Sequence, residues 1–464
     1  MSFADVGYLF RYMEWAKTVM EAGLPGVIDI GSSGIAQLTR RELGLRISDI
    51  ELSGPHFYGE PELRRRIARL ARAAPESVLP TLGASHAHFL ACASMIEPGD
   101  EVIVETPGYE VLSALPRALG AIVVPLERRF EDGFQFDPDE LRRLVTHRTR
   151  VILVTNLHNP SGVALSRECL AALTECAGGD LPAIAASEGR PAGSRGPSAG
   201  GRSSDRAARA DRGGAASGAD KAASRARADA SRARADASGA GADASGAGAD
   251  ASGAGADASR SRAPAGGPGA GLWVVVNEVY RDFVFRNPPP AGHTLGPRGV
   301  SIGSLTKVYG LGETRVGWIV GDPTLIHRAS RVNDFGVVNG PYVAERIGAF
   351  ALARRAGLLA RARAILGRNR PVLERFLRAN PALDTVKPAG GTVVFPRLRG
   401  IADSKAFAER ALAKHRVCVV PGEFFGAPGH IRIGIGGRDT GRLEEGLRRL
   451  GAALNDEGLL PRRQ

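Results

Sequence analysis

The sequence predicts an α/β fold: a mostly parallel sheet with helices on both faces, plus a smaller α+β C-terminal domain. Three observations carry this. Continuous apolar runs such as RVILVTN (150–156) and LWVVVN (272–277) alternate with helical stretches, and strands buried on both faces read this way. Unusual polar residues collect just after those runs, where the carboxyl edge of such a sheet would lie. From about Ala329 the pattern changes to Ala-, Arg- and Leu-rich helices, then to TVVFPRL, VCVVPG and HIRIGIG, which read as short strands.

Taken in order, the N-terminal MSFADVGYLFRYMEWAKTVM carries acidic residues and no apolar h-region, so it reads as an amphipathic helix and not a signal peptide. VLPTLG (78–83) runs into the apolar AHFLACASMI (87–96). DEVIVETPGY (100–109) reads as strand then turn, and AIVVPLE (121–127) as a strand. DPDELRRLV (137–145) opens with an N-cap aspartate and predicts a helix. RVILVTN is a buried strand, and SRECLAALTECA (166–177) a helix. LWVVVNEVY (272–280), GVSIGSLTK (299–307) and RVGWIVGD (315–322) complete the sheet.

Between the helix at 166–177 and the run at 272 the composition collapses to Ala, Gly, Ser, Arg and Asp, with ADASGAG repeated. Such a stretch has too little apolar surface to offset the entropy of ordering, and its seven-residue period has no large apolar residue to mark a coiled-coil seam. Residues 188–270 therefore read as a disordered insertion, inert or partner-recruiting. A helix-to-strand loop lies at the amino edge of a parallel sheet, away from the ligand side. Closure entropy grows only logarithmically with length, so the insertion costs the fold little. The resulting boundaries are an N-terminal arm at 1–45, a large domain at 46–328 holding the insertion, and a small C-terminal domain at 329–464.

The chain has 464 residues, 43% of them hydrophobic, within the range of a globular protein. No stretch approaches the roughly 20 apolar residues a membrane span needs. The formal net charge of +12 comes from arginines spread along the chain, with no basic stripe interleaved with aromatics. That pattern favours anionic small molecules over nucleic acid. Cys92, Cys169, Cys176 and Cys418 show neither metal nor disulfide spacing and read as buried thiols of a cytoplasmic protein.

The polar strand ends are LGASHA (82–87), ETPGY (105–109), TNLHNPSG (155–162) and NEVY (277–280); SIGSLTKVYGLGETRVGW (301–318) adds a lysine among apolar neighbours and an arginine eight residues on. A glycine-led helix N-terminus binds phosphate through its free N–H groups. An amine held in apolar surroundings is a nucleophile towards carbonyls. Phosphate, amine and carbonyl chemistry together point to pyridoxal phosphate. Ordinary roles compete: Asn159 before proline starts turns unaided, Tyr109 could close a turn in the core, and Asn277 could be a neutral strand end. His86 and His88 stand two apart on a helix and do not face one another, so they read as no metal pair. His158 reads as scaffold.

At this point the chain resembles the fold-type I, class I/II aminotransferases that depend on pyridoxal 5′-phosphate. The resemblance rests on YGEPELRRRIA, NPSG, NEVY, SLTK with its following arginine, and RIGIG, in that order. It implies that Lys307 forms the Schiff base with the cofactor and then moves the substrate proton. Ser304, Arg315 and the N–H groups of Ala84 and Ser85 would hold the phosphate. Tyr109 would stack on the pyridine ring. Asn159 and Tyr280 would hydrogen-bond its 3′ oxygen, with Asn159 also facing substrate. Arg432 would bind the substrate α-carboxylate, and Gly34 would lie in a substrate-covering loop. A homodimer with shared active sites is implied, and Tyr58, or Phe57 beside it, stands where a residue would reach the partner's phosphate.

Two departures from the family pattern stand out. SLTK replaces the common Ser-x-Ser-Lys, though Thr306 keeps a hydroxyl. More consequentially, Asn277 stands where the family has the aspartate that pairs with the pyridine nitrogen. A neutral partner is worth about half a charged one, so the electron sink should be weaker. The expected activity is amino-group transfer between an amino acid and a 2-oxo acid, with a lyase or other non-transaminating reaction as the alternative. A transcription regulator with an aminotransferase-like sensing domain would need a DNA-binding domain ahead of Tyr58, where there is no room. A degenerate scaffold would hold no cofactor.

Overall fold

Seven strands form the central sheet: β1 (Val78–Thr81), β2 (Glu101–Thr106), β3 (Ile122–Glu127), β4 (Thr149–Thr155), β5 (Trp273–Asn277), β6 (Gly299–Ser304) and β7 (Gly317–Val320). Their spatial order is β1-β7-β6-β5-β4-β2-β3. All neighbours pair in parallel except β7, which runs antiparallel to both β1 and β6. The structure is a computed structural model that describes residues 24–54, 57–179 and 271–458, with Arg11, Tyr12, Trp15 and Lys17 from the N-terminal stretch. The described residues group as one compact unit. The predicted insertion at 188–270 lies outside the described residues, as does most of the predicted N-terminal helix.

The helices that cover the sheet start where the sequence supplies caps. Glu60 accepts from the Leu63 N–H at the head of α1 (Pro61–Ala71), with Pro61 at its first position. No side chain caps α2 (Gly83–Met95), which begins one turn earlier than its apolar run suggests. It is followed by α3 (Glu110–Ala118) and by α4 (Pro138–Leu144), headed by Asp137. Ser166 caps α5 (Arg167–Cys176), and Asp322 caps α6 (Pro323–Asn333).

Strands β4, β5 and β6 are buried almost along their length because helices pack on both sides of them. One face carries Trp273, Val275 and Ile302 against Leu90 and Ala91 of α2. The other carries Ile152, Val154, Val274 and Val276 against Leu170 and Leu173 of α5. Strand β3 lies at the edge, and its partly exposed Pro125 and Glu127 suit an unpaired border.

The C-terminal runs differ from the simple strands expected. TVVFPRL splits into Val393–Val394, which pairs with Ile431–Gly434, and Arg397–Leu398, which pairs with Leu383–Asp384. Pro396 between them has no N–H to continue a ladder. VCVVPG likewise divides: Val417–Cys418 pairs in parallel with Ile28–Asp29, and Val420–Pro421 pairs with Ile431–Gly434. Residues 28–36 are thereby stitched to the C-terminal strands and carried past the carboxyl edge of the sheet.

Beneath that edge a buried ion pair ties two strands together. Arg128 Nη1 lies 2.6 Å from Glu105 Oε2, both side chains fully buried. Arg128 also donates to the Phe134 carbonyl at 2.6 Å, and the Thr155 N–H donates to Glu105 at 2.9 Å. The pair fixes the end of β2 against that of β4, from which Tyr109 and Asn159 follow.

Candidate active site

The carboxyl ends of β1, β2, β4, β5 and β6 open into a cavity of about 640 Å³. Ala84, Ser85, Tyr109, Asn159, Asn277, Tyr280, Ser304, Lys307, Arg315 and Arg432 all line it. Gly34 lies just outside, against the lysine stem: a Cβ there would be 3.9 Å from Lys307 Cδ. No aspartate or glutamate is among the described residues lining the cavity, so its three cations face no carboxylate.

Lys307 follows β6 in a turn whose carbonyl accepts from the Ile35 N–H at 2.9 Å. Its Nζ donates to the buried Ser33 Oγ at 3.0 Å. Three features gather at one end of the cavity. The first turn of α2 lacks a side-chain cap, so its N–H groups stay available. Ser304 ends β6, its Oγ accepting from the Thr306 N–H at 3.3 Å. Arg315 has φ +51° and lays its guanidinium over Gly83, donating to the carbonyls of Leu82 at 3.3 Å and Gly312 at 3.2 Å. Gly83 itself has φ +80°, and a Cβ there would stand 2.6 Å from Arg315 Nη2. The close approach requires a glycine. Together these make an anion cradle.

Arg432 reaches the cavity from Ile431–Gly434 and is 1% exposed. Its partners are neutral: Asn159 Oδ1 at 3.1 Å, the Gly31 carbonyl at 3.0 Å and the Tyr12 hydroxyl at 3.3 Å. Its Nε has no partner among the described residues. A buried guanidinium without a carboxylate is costly unless a ligand supplies one. The rings of Phe425 and Tyr12 pack on it at 5.0 and 5.6 Å.

Asn277 closes β5 and is 5% exposed. Its Oδ1 accepts from the Val279 N–H at 3.3 Å. Only oxygen can accept there, so the amide is oriented and its NH₂ is the group left to face the cavity. Tyr280 packs on Phe283 with ring centroids 6.3 Å apart. Burial pushes the Tyr109 phenol up to about 12, with Ser85 beside it lowering it slightly. His158 has both ring nitrogens engaged, by Ser161 Oγ at 2.6 Å and the Pro107 carbonyl at 2.7 Å, and burial holds it well below its ordinary value. His86 accepts from the Leu82 N–H at 3.1 Å.

Three further polar residues in the cavity wall escaped the sequence reading: Tyr12, Ser33 and His88. Ser33 sits beside Gly34 in IDIGSSGI and could have been found there. Tyr12 comes from a stretch with no local signal, and His88 was weighed only as a metal ligand.

The cavity invites comparison with known proteins. The family model for aminotransferase class I and II matches residues 41–179 and 269–450, breaking where the low-complexity stretch lies. A capreomycidine synthase from Streptomyces vinaceus is 29% identical over 442 residues, covering 92% of this chain and 89% of that protein. The arginine–pyruvate transaminase AruH of Pseudomonas aeruginosa is 26% identical, covering 83% and 80%. A crystal structure of a pyridoxal-phosphate-dependent aminotransferase from Streptococcus suis superposes with TM-score 0.72 at 23% identity, covering 98% of this chain and all of that one.

Proposed function

Because the chain belongs to the class I and II aminotransferases, which depend on pyridoxal 5′-phosphate and move an amino group between an amino acid and a 2-oxo acid, we propose that the cavity around Lys307 is its active site. The observation that carries this assignment is the meeting, in one cavity, of an amine, an anion cradle and a buried guanidinium with no carboxylate of its own. The cradle of Ser304, Arg315 and the head of α2 would take the phosphate. Tyr109 would cover one face of the ring, Asn159 and Tyr280 would meet the 3′ oxygen, and Asn277 the ring nitrogen.

Bound there, the cofactor supplies an aldehyde for an amine and a conjugated ring that can take up the electron pair of a substrate α-carbon. The protein's part is to place groups. Arg432 holds the substrate α-carboxylate by two parallel N–H bonds, displacing neutral partners. That grip sets the α-carbon against Lys307. The Lys307 Nζ, steadied by the Ser33 hydroxyl, would accept and return the α-proton. Gly34 lies against the lysine stem. The Asn277 amide offers N–H, so it suits an unprotonated ring nitrogen and stabilises negative charge on the ring less than a carboxylate partner would.

A second reading keeps the site and changes the outcome. The neutral Asn277 favours reactions that need less carbanion stabilisation than transamination, and one relative is named a synthase and not a transaminase. A single experiment separates the readings. Purified protein is mixed with single amino acids. Conversion of the bound cofactor to its amine form supports transfer, and release of keto acid and ammonia without an acceptor supports a lyase. Borohydride reduction followed by peptide mapping must place a pyridoxyl group on Lys307; a label elsewhere, or none, removes the assignment.

The same reading places the protein in the cytoplasm as a homodimer. Leu52, Phe57, Phe335 and Val338 are exposed large apolar residues near the segment that carries Tyr58. Exposed apolar surface of this kind marks a partner face. Tyr58 is anchored within its own chain, donating to Asp334 at 3.2 Å and accepting from Arg331 at 3.1 Å, so Phe57, 78% exposed, is the freer candidate to reach across. Sedimentation of the wild type and of Phe335→Glu tests this: a dimer and a weakened dimer are expected.

A further inference from the structure

His88 plays no part in the roles above, yet it is the cavity-wall residue with the least satisfied side chain. It is 2% exposed, and neither ring nitrogen has a hydrogen-bond partner among the described residues. Native folds rarely leave such groups unpaired, and those that do so at a site await a ligand or water. Its place in the fold says which part of a ligand it would meet. His88 stands four residues after Ala84 on α2, on the same helix face. The rise places it about 6 Å further from the phosphate cradle. The neighbouring Ala87, Leu90 and Ala91 pack on Trp273 and Val275. Side chains alternate along a strand, so Asn277, two residues past Val275, projects to that same face. His88 and Asn277 thus approach the end of the cavity remote from the cradle, from helix and sheet respectively.

Resting on the active-site assignment above, we propose that His88 is a cofactor-positioning residue. Its imidazole and the Asn277 amide together receive the ring-nitrogen edge of pyridoxal phosphate, through a direct hydrogen bond or one shared water. Burial holds His88 near 4, so it presents one N–H and one lone pair and no charge. A neutral pair of this kind matches an unprotonated ring nitrogen.

The test uses full-length protein carrying ¹⁵N-histidine and reconstituted with ring-¹⁵N pyridoxal phosphate. In the wild type, adding cofactor is expected to move the imidazole ¹⁵N signals of His88. His88→Leu is expected to raise the cofactor dissociation constant about tenfold, the equivalent of one neutral hydrogen bond, and to move the cofactor's ring-nitrogen signal. His88→Asn should recover part of both effects, which a purely packing role would not predict. Should His88→Leu fail to fold, the wild-type histidine signals alone decide. Unmoved histidine signals, or an unchanged dissociation constant and ring-nitrogen signal in a folded His88→Leu protein, overturn the proposal. Borohydride labelling of wild-type Lys307 separates the two failures. With the label present, only the role of His88 falls; with it absent, the active-site assignment falls and this proposal with it.

Discussion

Lys307 Nζ donates to Ser33 Oγ at 3.0 Å, across 274 residues of sequence. The contact links the turn after β6 to the loop that follows Ile28–Asp29. That loop is held independently: the Ser33 carbonyl accepts from Thr392 Oγ1 at 2.7 Å, and the Gly434 N–H donates to the Ile30 carbonyl at 2.6 Å. Deleting the hydroxyl should therefore leave the loop in place.

Ser33→Ala is expected to lower kcat by roughly 3–10-fold with KM little changed, since one neutral hydrogen bond is worth about 1 kcal/mol. The Lys307 label after borohydride should persist. Single-turnover kinetics check the split; a rise in KM with kcat intact would mean that Ser33 binds substrate instead of steadying the lysine.

Arg432→Lys keeps the charge and removes the planar fork that spans Asn159, Gly31 and Tyr12. Charge-assisted bonds are worth about 1.5–3 kcal/mol each, so KM for the amino acid should rise roughly 10–100-fold. The cofactor's affinity should be unaffected. Steady-state kinetics and cofactor titration on the same variant measure both, and a KM within twofold of wild type would remove the α-carboxylate role.

Asn277→Asp introduces a carboxylate where the amide now faces the cavity. If the neutral partner limits the electron sink, α-proton removal should accelerate by roughly tenfold, about the difference between a charged and a neutral hydrogen bond. An α-deuterated substrate reports it: the isotope effect on kcat should shrink as proton removal ceases to limit. A slower variant with an unchanged isotope effect would show that the amide suits the reaction better than the acid.

Much of this arrangement was legible in the sequence because parallel strands announce themselves. Each apolar run at 101–106, 149–155, 273–277 and 299–304 ends in the polar residues that a carboxyl edge requires, so the strand pattern and the site were read together. Lys307, Arg315 and Asn277 stand out as candidates in the local sequence, and the fold brings all three to one cavity. What escaped depends on contacts distant in sequence. Nothing near Tyr12 says that it will meet Arg432, 420 residues away. His88 reads as an interior helix residue until the fold puts it in the same cavity wall as Asn277. The split of 392–398 between two partners is likewise a matter of pairing, and pairing is not written in periodicity.

Glu105 and Arg128 offer a stability test outside the cavity. Burial raises the Glu105 carboxyl, and the guanidinium beside it pulls the other way. Arg128→Met should cost about 3–5 kcal/mol, because it leaves a buried carboxylate unpaired. Adding Glu105→Gln to that variant should restore part of the loss. Urea unfolding of both proteins measures it; a single variant within 1 kcal/mol of wild type would mean that water reaches Glu105.

His88 also ties the fold to pH. Burial lowers it from 6.5 to about 4, and His158 falls well below its ordinary value for the same reason, with Arg128 nearby adding to the effect. Between pH 6.5 and 4 the unfolded chain takes up protons that the folded chain refuses. Stability from these groups is therefore full above pH 6.5 and is lost as pH falls towards 4. Glu278 acts in the opposite sense: burial raises it to about 7, so the folded state holds its proton more tightly and gains stability as pH falls through that range. Comparing the wild type with His88→Leu cancels Glu278 and His158. At about 1.4 kcal/mol per pH unit for one proton, the stability difference between the two proteins should shift by roughly 2 kcal/mol in favour of the leucine variant from pH 6.5 to 5. Urea midpoints of the cofactor-free proteins at both pH values measure it, and parallel behaviour would show that His88 titrates as an ordinary histidine.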